Sequence, residues 1–161
     1  SCLLTLRDEI PALNLEAAAN IDFSQVMLLE EFLHQEHIAG NFIPQFKTLV
    51  TPQVAIHGHC HQKALSNGQA SKDALSLPAN YSVEIIDSSC CGMAGSFGFE
   101  KEHYNLSMEI GEMVLFPAVR KTDENTLIVA SGTSCRHQIK DGTGRRSYHP
   151  VEVLHDALRN S

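Results

Sequence analysis

Three short apolar segments recur along the chain, and each runs into a turn that contains cysteine. They span residues 54–57, 83–87 and 126–130. Apolar runs of this length that end near glycine or serine are typical of strands buried on both faces of a sheet. The pattern therefore predicts three buried strands, each followed by a turn that bears at least one thiol.

Helical spacing of apolar residues marks the first third of the chain. Leucine and phenylalanine recur at intervals of one, three and four over residues 28–33, in a segment rich in glutamate. This spacing predicts a helix that ends near Gly40, because glycine suits the left-handed position after a helix. Asp22 or Ser24 is expected to cap its N-terminus.

Further helices are predicted to follow the strands. One begins in the turn at residues 59–61, one spans 100–119, and a last one spans 151–158 and is opened by Pro150. Strands that alternate with helices are typical of a parallel sheet. We therefore expect an α/β fold of the three-layer, Rossmann-like class, with a mainly parallel sheet and with the cysteine turns at the carboxyl ends of the strands.

Composition narrows the class of protein. The chain has 161 residues, of which 43% are hydrophobic and 19% charged, which is the balance of a globular protein. Its net charge of −7 argues against a general nucleic-acid binder, because phosphate contacts need clustered Lys and Arg. No segment reaches the roughly 20 consecutive apolar residues of a membrane helix, and no secretory signal is evident. The sequence predicts a cytoplasmic protein, with peripheral association at the inner membrane face as a further option.

The cysteines indicate metal chemistry. Five cysteines, an odd number without a secretory signal, favour reduced thiols over disulfides. Cys60, Cys90, Cys91 and Cys135 each lie just beyond a predicted strand, so a parallel sheet would bring them to one edge. Four thiolates suit zinc or an iron–sulfur cluster, whereas calcium and magnesium are poor candidates.

Glycine residues beside the adjacent cysteines support a cluster. Gly92 and Gly95 would let the backbone pass close to inorganic sulfide and donate N–H groups to it. Each cysteine taken alone could equally be a small buried hydrophobic residue. A Cys/His nucleophile built on Cys60 or Cys135 stays open as well.

Histidines crowd the same turns. His57, His59 and His61 alternate around Cys60, and His137 follows Cys135 by two positions. They are candidates for hydrogen-bond donors around a metal site or for substitute ligands. In an extended segment, alternation places neighbouring side chains on opposite faces, so the three histidines are not all expected to face the metal.

Three runs of the sequence resemble a known family. Residues 59–64, 87–98 and 130–139, with the pair Cys90-Cys91 followed by Gly92, resemble the cysteine-rich "CCG" domain. This domain occurs in heterodisulfide reductase and in the iron–sulfur subunits of glycolate oxidase and anaerobic glycerol-3-phosphate dehydrogenase. It also forms the C-terminal region of FAD-linked oxidoreductases that resemble D-lactate and D-2-hydroxyglutarate dehydrogenases.

The resemblance implies a domain organisation. Such domains come in pairs, each with a Cys, a Cys-Cys-Gly and a closing Cys-x-x-Cys. Residues 1–9, with Cys2, look like the tail of a preceding copy, so we expect 1–50 to be that tail plus a helical connector and 51–161 to be the cysteine-rich domain. Gly132 stands where the family has the first closing cysteine, which implies a four-thiolate site rather than a five-thiolate non-cubane cluster.

The resemblance also implies a function. The expected function is an electron-transfer module of an FAD-linked oxidoreductase that oxidises a 2-hydroxy acid such as D-lactate. Its expected ligands are the four cysteines, which would hold a [4Fe–4S] cluster, with Gly92, Gly95, His61 and His137 around the cofactor. FAD and ferredoxin-like domains of the same chain are expected upstream, so the fragment alone, without a catalytic residue, would be inactive. The alternative is a structural zinc domain that mediates assembly of that enzyme.

Overall fold

The computed structural model describes residues 2–18, 20–48, 51–66 and 68–159. The described α-helices are α1 (Cys2–Ala12), α2 (Leu29–Ile38), α3 (Cys60–Ser66), α4 (Gln69–Leu75), α5 (Tyr104–Met113), α6 (Leu115–Lys121), α7 (Thr133–Thr143) and α8 (Pro150–Ala157). The strands are β1 (Gln53–His57), β2 (Ser82–Ile85), β3 (Leu127–Ala130) and β4 (Ser147–Tyr148). Three short 3-10 turns occupy Glu16–Ala18, Phe23–Gln25 and Phe97–Phe99.

The four strands form one parallel sheet in the order β2-β1-β3-β4. The chain passes from β1 to β2 through α3 and α4, crosses back to β3 through α5 and α6, and reaches β4 through α7. The connection from β1 therefore leads to one side of the sheet, and the connection from β2 leads back to the other side of β1. This reversal makes the carboxyl ends of β1 and β3 a topological switch point. The predicted α/β fold with a parallel sheet is confirmed.

Two apolar clusters cover the two faces of the sheet. Ala55 of β1 and Ile128 of β3 pack with α6 and α7, whereas Val54, Ile56 and Val129 pack with α4 and α8. Successive residues of a strand point to opposite faces, so the two strands supply both clusters. The result is the expected three-layer arrangement, with the sheet between two layers of helices.

The helix predicted over 100–119 is two helices. It starts later than predicted, at Tyr104, and it breaks at Val114, whose backbone leaves the helical region. Pro117 explains the break, because a proline has no N–H for the helix ladder and its ring clashes with the carbonyl four residues earlier. Placed in the first turn of α6, the same proline is tolerated.

The first-third helix ends as predicted, with Gly40 at a φ of +77° just after it, but its predicted N-terminal cap is wrong. Asp22 caps the 3-10 turn Phe23–Gln25 instead. Leu28 is the N-cap of α2, and its backbone N–H donates to the Glu31 carboxylate at 2.7 Å. Arg7 of α1 binds that same carboxylate at 2.7 to 2.8 Å, which ties α1 to α2.

Within the described residues, no helix has the length and apolar character needed to cross a membrane. The predicted division into residues 1–50 and 51–161 stays a prediction, and its boundary at residues 49 and 50 lies outside the described residues.

Candidate metal centre

The cysteine turns and one histidine meet at the carboxyl edge of the sheet. His57 is the last residue of β1, and Cys60 is the first residue of α3. Cys90 and Cys91 lie in the loop after β2, and Cys135 lies in the first turn of α7, just after β3. All five residues therefore lie at, or shortly after, the carboxyl ends of β1, β2 and β3, next to the switch point.

Three of these side chains form a compact buried group. The sulfur atoms of Cys91 and Cys135 are 3.5 Å apart and hydrogen bonded. A ring nitrogen of His57 and these two sulfurs all lie within 4.8 Å of one another. The exposed fractions of the three residues are 0% for His57, 2% for Cys91 and 1% for Cys135, so bulk water has no direct access to them.

The two buried thiols are not equivalent. The hydrogen bond with Cys135, together with the nearby His57 ring and the Met93 backbone N–H, lowers the pKa of Cys91 to about 4 against the opposing effect of burial. The pKa of Cys135 is raised by the hydrogen bond with Cys91, by burial and by the charge on Cys91. The opposite shifts mean that the two thiols titrate as one unit that shares a proton.

Cys60 and Cys90 form a second, more exposed pair. Burial, and then a hydrogen bond with Cys90, raises the pKa of the Cys60 thiol. Cys90 is half-buried, and its sulfur accepts the backbone N–H of Gly92 at 3.3 Å. Charges on Cys60 and Cys90 also raise the pKa of Cys135, so the outer pair interacts electrostatically with the inner group.

Gly92 sets the path of the loop that carries the adjacent cysteines. Its φ of +98° lies in the region that side chains avoid, and an added Cβ would overlap the carbonyl oxygen of Ser107 in α5. The Gln138 amide of α7 donates to the Ser107 carbonyl at 3.0 Å and to the Ser107 hydroxyl at 2.8 Å. The loop is thereby fixed between α5 and α7.

Two basic side chains hold the backbone around the thiols. Lys63 of α3 donates to the carbonyl oxygens of Ser88 and Ser89, just before the adjacent cysteines. Arg136 donates to the carbonyls of Ala130 and Ser131 at 2.8 and 2.9 Å, at the end of β3. These charged hydrogen bonds connect each thiol-bearing helix to a neighbouring strand end.

Gly132 leaves room for an imidazole. A Cβ at this position would lie 2.6 Å from the His59 ring and 2.9 Å from the Cys135 sulfur. The His59 ring thus fills the space beside Gly132, and burial lowers the pKa of His59. Together with buried Glu30, these two residues help to line a cavity of about 170 Å³ next to the thiols.

The other residues proposed from the sequence lie around this centre. His61 faces Asp8 of α1, with 3.7 Å between its Nε2 and the carboxylate. His137 makes an edge contact with the Phe99 ring, with 6.0 Å between ring centroids. Gly95 has a φ of +72° and open space around its Cα, and Cys2 is an exposed free thiol on α1. A role for His61, His137 or Gly95 in cofactor binding stays a prediction.

The donor chemistry of the inner group fits a metal. Two thiolates bound to one tetrahedral metal at about 2.3 Å place their sulfurs about 3.8 Å apart, which is close to the observed 3.5 Å between Cys91 and Cys135. Soft sulfur with imidazole is a donor set that zinc and iron–sulfur centres use. The group of His57, Cys91 and Cys135 could therefore hold a metal.

His57 is not among the four cysteine ligands expected from the sequence, which gives it only as a candidate substitute ligand or hydrogen-bond donor. It is one of three alternating histidines, and alternation alone does not say which of them faces the thiols. The sequence does contain one signal that distinguishes His57 from the other two histidines, which is its position inside the apolar strand. A histidine in a buried strand needs a polar partner. His59 and His61, beyond the strand end, have no such constraint.

The chain is 31% identical over 161 residues to a subunit of the anaerobic glycerol-3-phosphate dehydrogenase of Escherichia coli (strain K12), covering 98% of this chain and 39% of that protein. It is 30% identical over 155 residues to the D-2-hydroxyglutarate dehydrogenase of Pantoea ananatis, covering 94% of this chain and 14% of the relative. The E. coli K12 enzyme of that name is 34% identical over 105 residues, covering 63% of this chain and 10% of the relative.

No protein-family model matches the chain. No solved structure matches it either.

Proposed function

The chain is homologous to the matched subunit of anaerobic glycerol-3-phosphate dehydrogenase and to D-2-hydroxyglutarate dehydrogenases, and from that premise we propose that it is an iron–sulfur electron-transfer module. The module would be the C-terminal part of an FAD-linked oxidoreductase that oxidises a 2-hydroxy acid such as D-lactate. The chain spans 39% of the glycerol-3-phosphate dehydrogenase subunit that it matches. In this proposal, the flavin and ferredoxin-like domains lie outside these 161 residues.

The observation that carries the proposal is the grouping of thiols at the sheet edge. Cys91 and Cys135 are buried 3.5 Å apart, and the Cys60–Cys90 pair lies on the more exposed side. Thiolates from three separate loops are suited to a polynuclear centre, because each loop can approach it from a different side. We propose Cys60, Cys90, Cys91 and Cys135 as its ligands.

The chain's own residues would tune such a centre. A bound cluster would accept electrons singly from a reduced flavin and pass them on. The Gly92 N–H already donates to the Cys90 sulfur at 3.3 Å, and hydrogen bonds to ligand sulfur raise a cluster's reduction potential. Burial of Cys91 and Cys135 would exclude water from one side, while exposed Cys60 faces the side from which an electron donor could approach.

Metal analysis of the full-length protein tests the proposal. We expect iron and acid-labile sulfide in equal amounts per chain after purification without oxygen, with a visible absorbance that bleaches on reduction. Cys91→Ser removes a buried thiolate ligand and is expected to lower metal affinity at least about 10-fold, since even indirect partners of a metal contribute this much. Ser89→Ala, an exposed neighbour in the same loop, is the matched control and should keep the wild-type metal content.

A structural zinc site is the second candidate. The presence of the His57 imidazole among the inner donors favours it, because closed zinc sites commonly combine cysteine with histidine. In that case the protein would be colourless, with one zinc per chain and without sulfide. That result would contradict electron transfer and leave a role in assembly.

A further inference from the structure

His57 occupies an unusual position for an imidazole. It ends β1 on the face of the sheet that carries Cys91 and Cys135, and its exposed fraction is 0%. An imidazole removed from water loses hydrogen bonds at both ring nitrogens, and each nitrogen left without a partner destabilises the protein. The surroundings of the two nitrogens therefore indicate what the ring does.

The two nitrogens have different surroundings. Nδ1 is 2.7 Å from the hydroxyl oxygen of Ser88, which is itself buried. Nε2 is buried and has no nitrogen or oxygen partner among the residues that the structure describes, and the ring interacts instead with the Cys91 thiol, by a hydrogen bond and by charge. If Nδ1–H donates to Ser88, the lone pair of Nε2 is free, and this is the tautomer that a metal-bound histidine requires.

We propose that His57 is a ligand of the metal centre through Nε2, with Ser88 as the residue that positions the ring. This inference rests on the proposed function in that the centre must hold a metal. A ring nitrogen of His57 lies within 4.8 Å of the sulfurs of Cys91 and Cys135, so one metal ion can contact all three residues. The donor set then comprises four thiols and one imidazole rather than thiols alone.

The imidazole ligand has a chemical consequence. Compared with the five-thiolate set of the family that the sequence resembles, a set whose fifth donor is a neutral imidazole carries one negative charge fewer, which stabilises the reduced centre. Gly132 has no side chain, so the position that holds a cysteine in the family that the sequence resembles supplies no donor here. The centre is thereby predicted to be easier to reduce than one bound by five cysteines.

Pulsed EPR of the reduced full-length protein, purified without oxygen, tests this ligand. We expect a strong nitrogen hyperfine coupling that changes when histidine is labelled with the heavier nitrogen isotope. His57→Cys should abolish the coupling and keep iron and sulfide, because it supplies a thiolate at the same place. His57→Asn should lose metal at least about 10-fold more readily than wild type.

His59→Asn is the matched control, because His59 also lies beside the centre. We expect this variant to retain the nitrogen coupling. The inference is overturned if iron and sulfide are present but the coupling is missing in wild type, survives in both His57 variants, or disappears in His59→Asn. Those outcomes leave the iron–sulfur function standing.

The function and the ligand can fail separately. If the protein contains zinc alone, X-ray absorption should show a nitrogen neighbour at about 2.0 Å beside sulfur at about 2.3 Å, lost in His57→Cys. That result would support His57 as a ligand and overturn the iron–sulfur function. A full-length protein without metal would overturn both.

Discussion

At the residue scale, single atoms decide the geometry of the centre. Gly92 permits a backbone conformation that brings the Cys90 and Cys91 loop against Ser107, and the Ser88 hydroxyl orients the His57 ring. Gly95 shares the positive φ of Gly92, yet it has open space around it. Comparing an alanine substitution at Gly92 with one at Gly95 therefore separates the effect of backbone strain from that of steric overlap.

Gly92→Ala is expected to destabilise the protein by more than about 3 kcal/mol. The added methyl group would be strained by the φ of +98° and would also overlap the Ser107 carbonyl, so the loop has to move. Gly95→Ala carries only the strain, about 1–2 kcal/mol. Urea unfolding followed by circular dichroism compares the two. Equal losses would mean that the contact with Ser107 is unimportant.

At the element scale, charged side chains fix each thiol-bearing helix to a strand end. Arg136 of α7 binds two carbonyls at the end of β3, and Lys63 of α3 binds two carbonyls of the loop after β2. The half-buried contacts of Arg136 give it a structural role.

Arg136→Met is expected to lower the free energy of unfolding by about 1–3 kcal/mol, because the carbonyls of Ala130 and Ser131 lose a charged donor. Lys140→Met, on the exposed side of α7, removes a bond to the Gly144 carbonyl at the helix end and should change stability by no more than about 0.5 kcal/mol. Thermal unfolding of the metal-free proteins measures both. A neutral Arg136→Met would show that the strand end is held by packing alone.

At the scale of the whole molecule, the centre joins the loops that follow β1, β2 and β3. Two of these strands, β1 and β3, supply both apolar faces of the sheet, so the loops are anchored to the core at their starts. A metal that binds residues from all three loops would add its binding free energy to their local stability.

Removing the metal should therefore loosen all three loops together. Hydrogen exchange of the full-length protein is expected to rise about 10- to 100-fold at amides around Cys60, Cys91 and Cys135, while the β4 end of the sheet changes little. Cys91→Ser should show the faster exchange with or without a chelator. Faster exchange in a single loop would contradict ligands drawn from three loops.

The extent to which the structure follows from the sequence differs between the sheet and the centre. The apolar runs predict β1, β2 and β3 within one or two residues, and the α/β fold is confirmed, because buried parallel strands need continuous apolar segments. The pattern misses the break at Val114, although Pro117 signals it. It also misses strand β4, because the two residues of that strand, Ser147 and Tyr148, carry no apolar run.

The sequence by itself determined which residues leave the strand ends, and with them the four thiols at one edge of a parallel sheet. Only the tertiary structure decided that Cys91 pairs with Cys135, that Cys60 pairs with Cys90, and that His57 faces the inner pair. The physical reason is that strand order and crossover set the distances between loops, and the pleat of β1 sets the face on which its last side chain lies. Neither quantity is encoded in the spacing of residues along the chain.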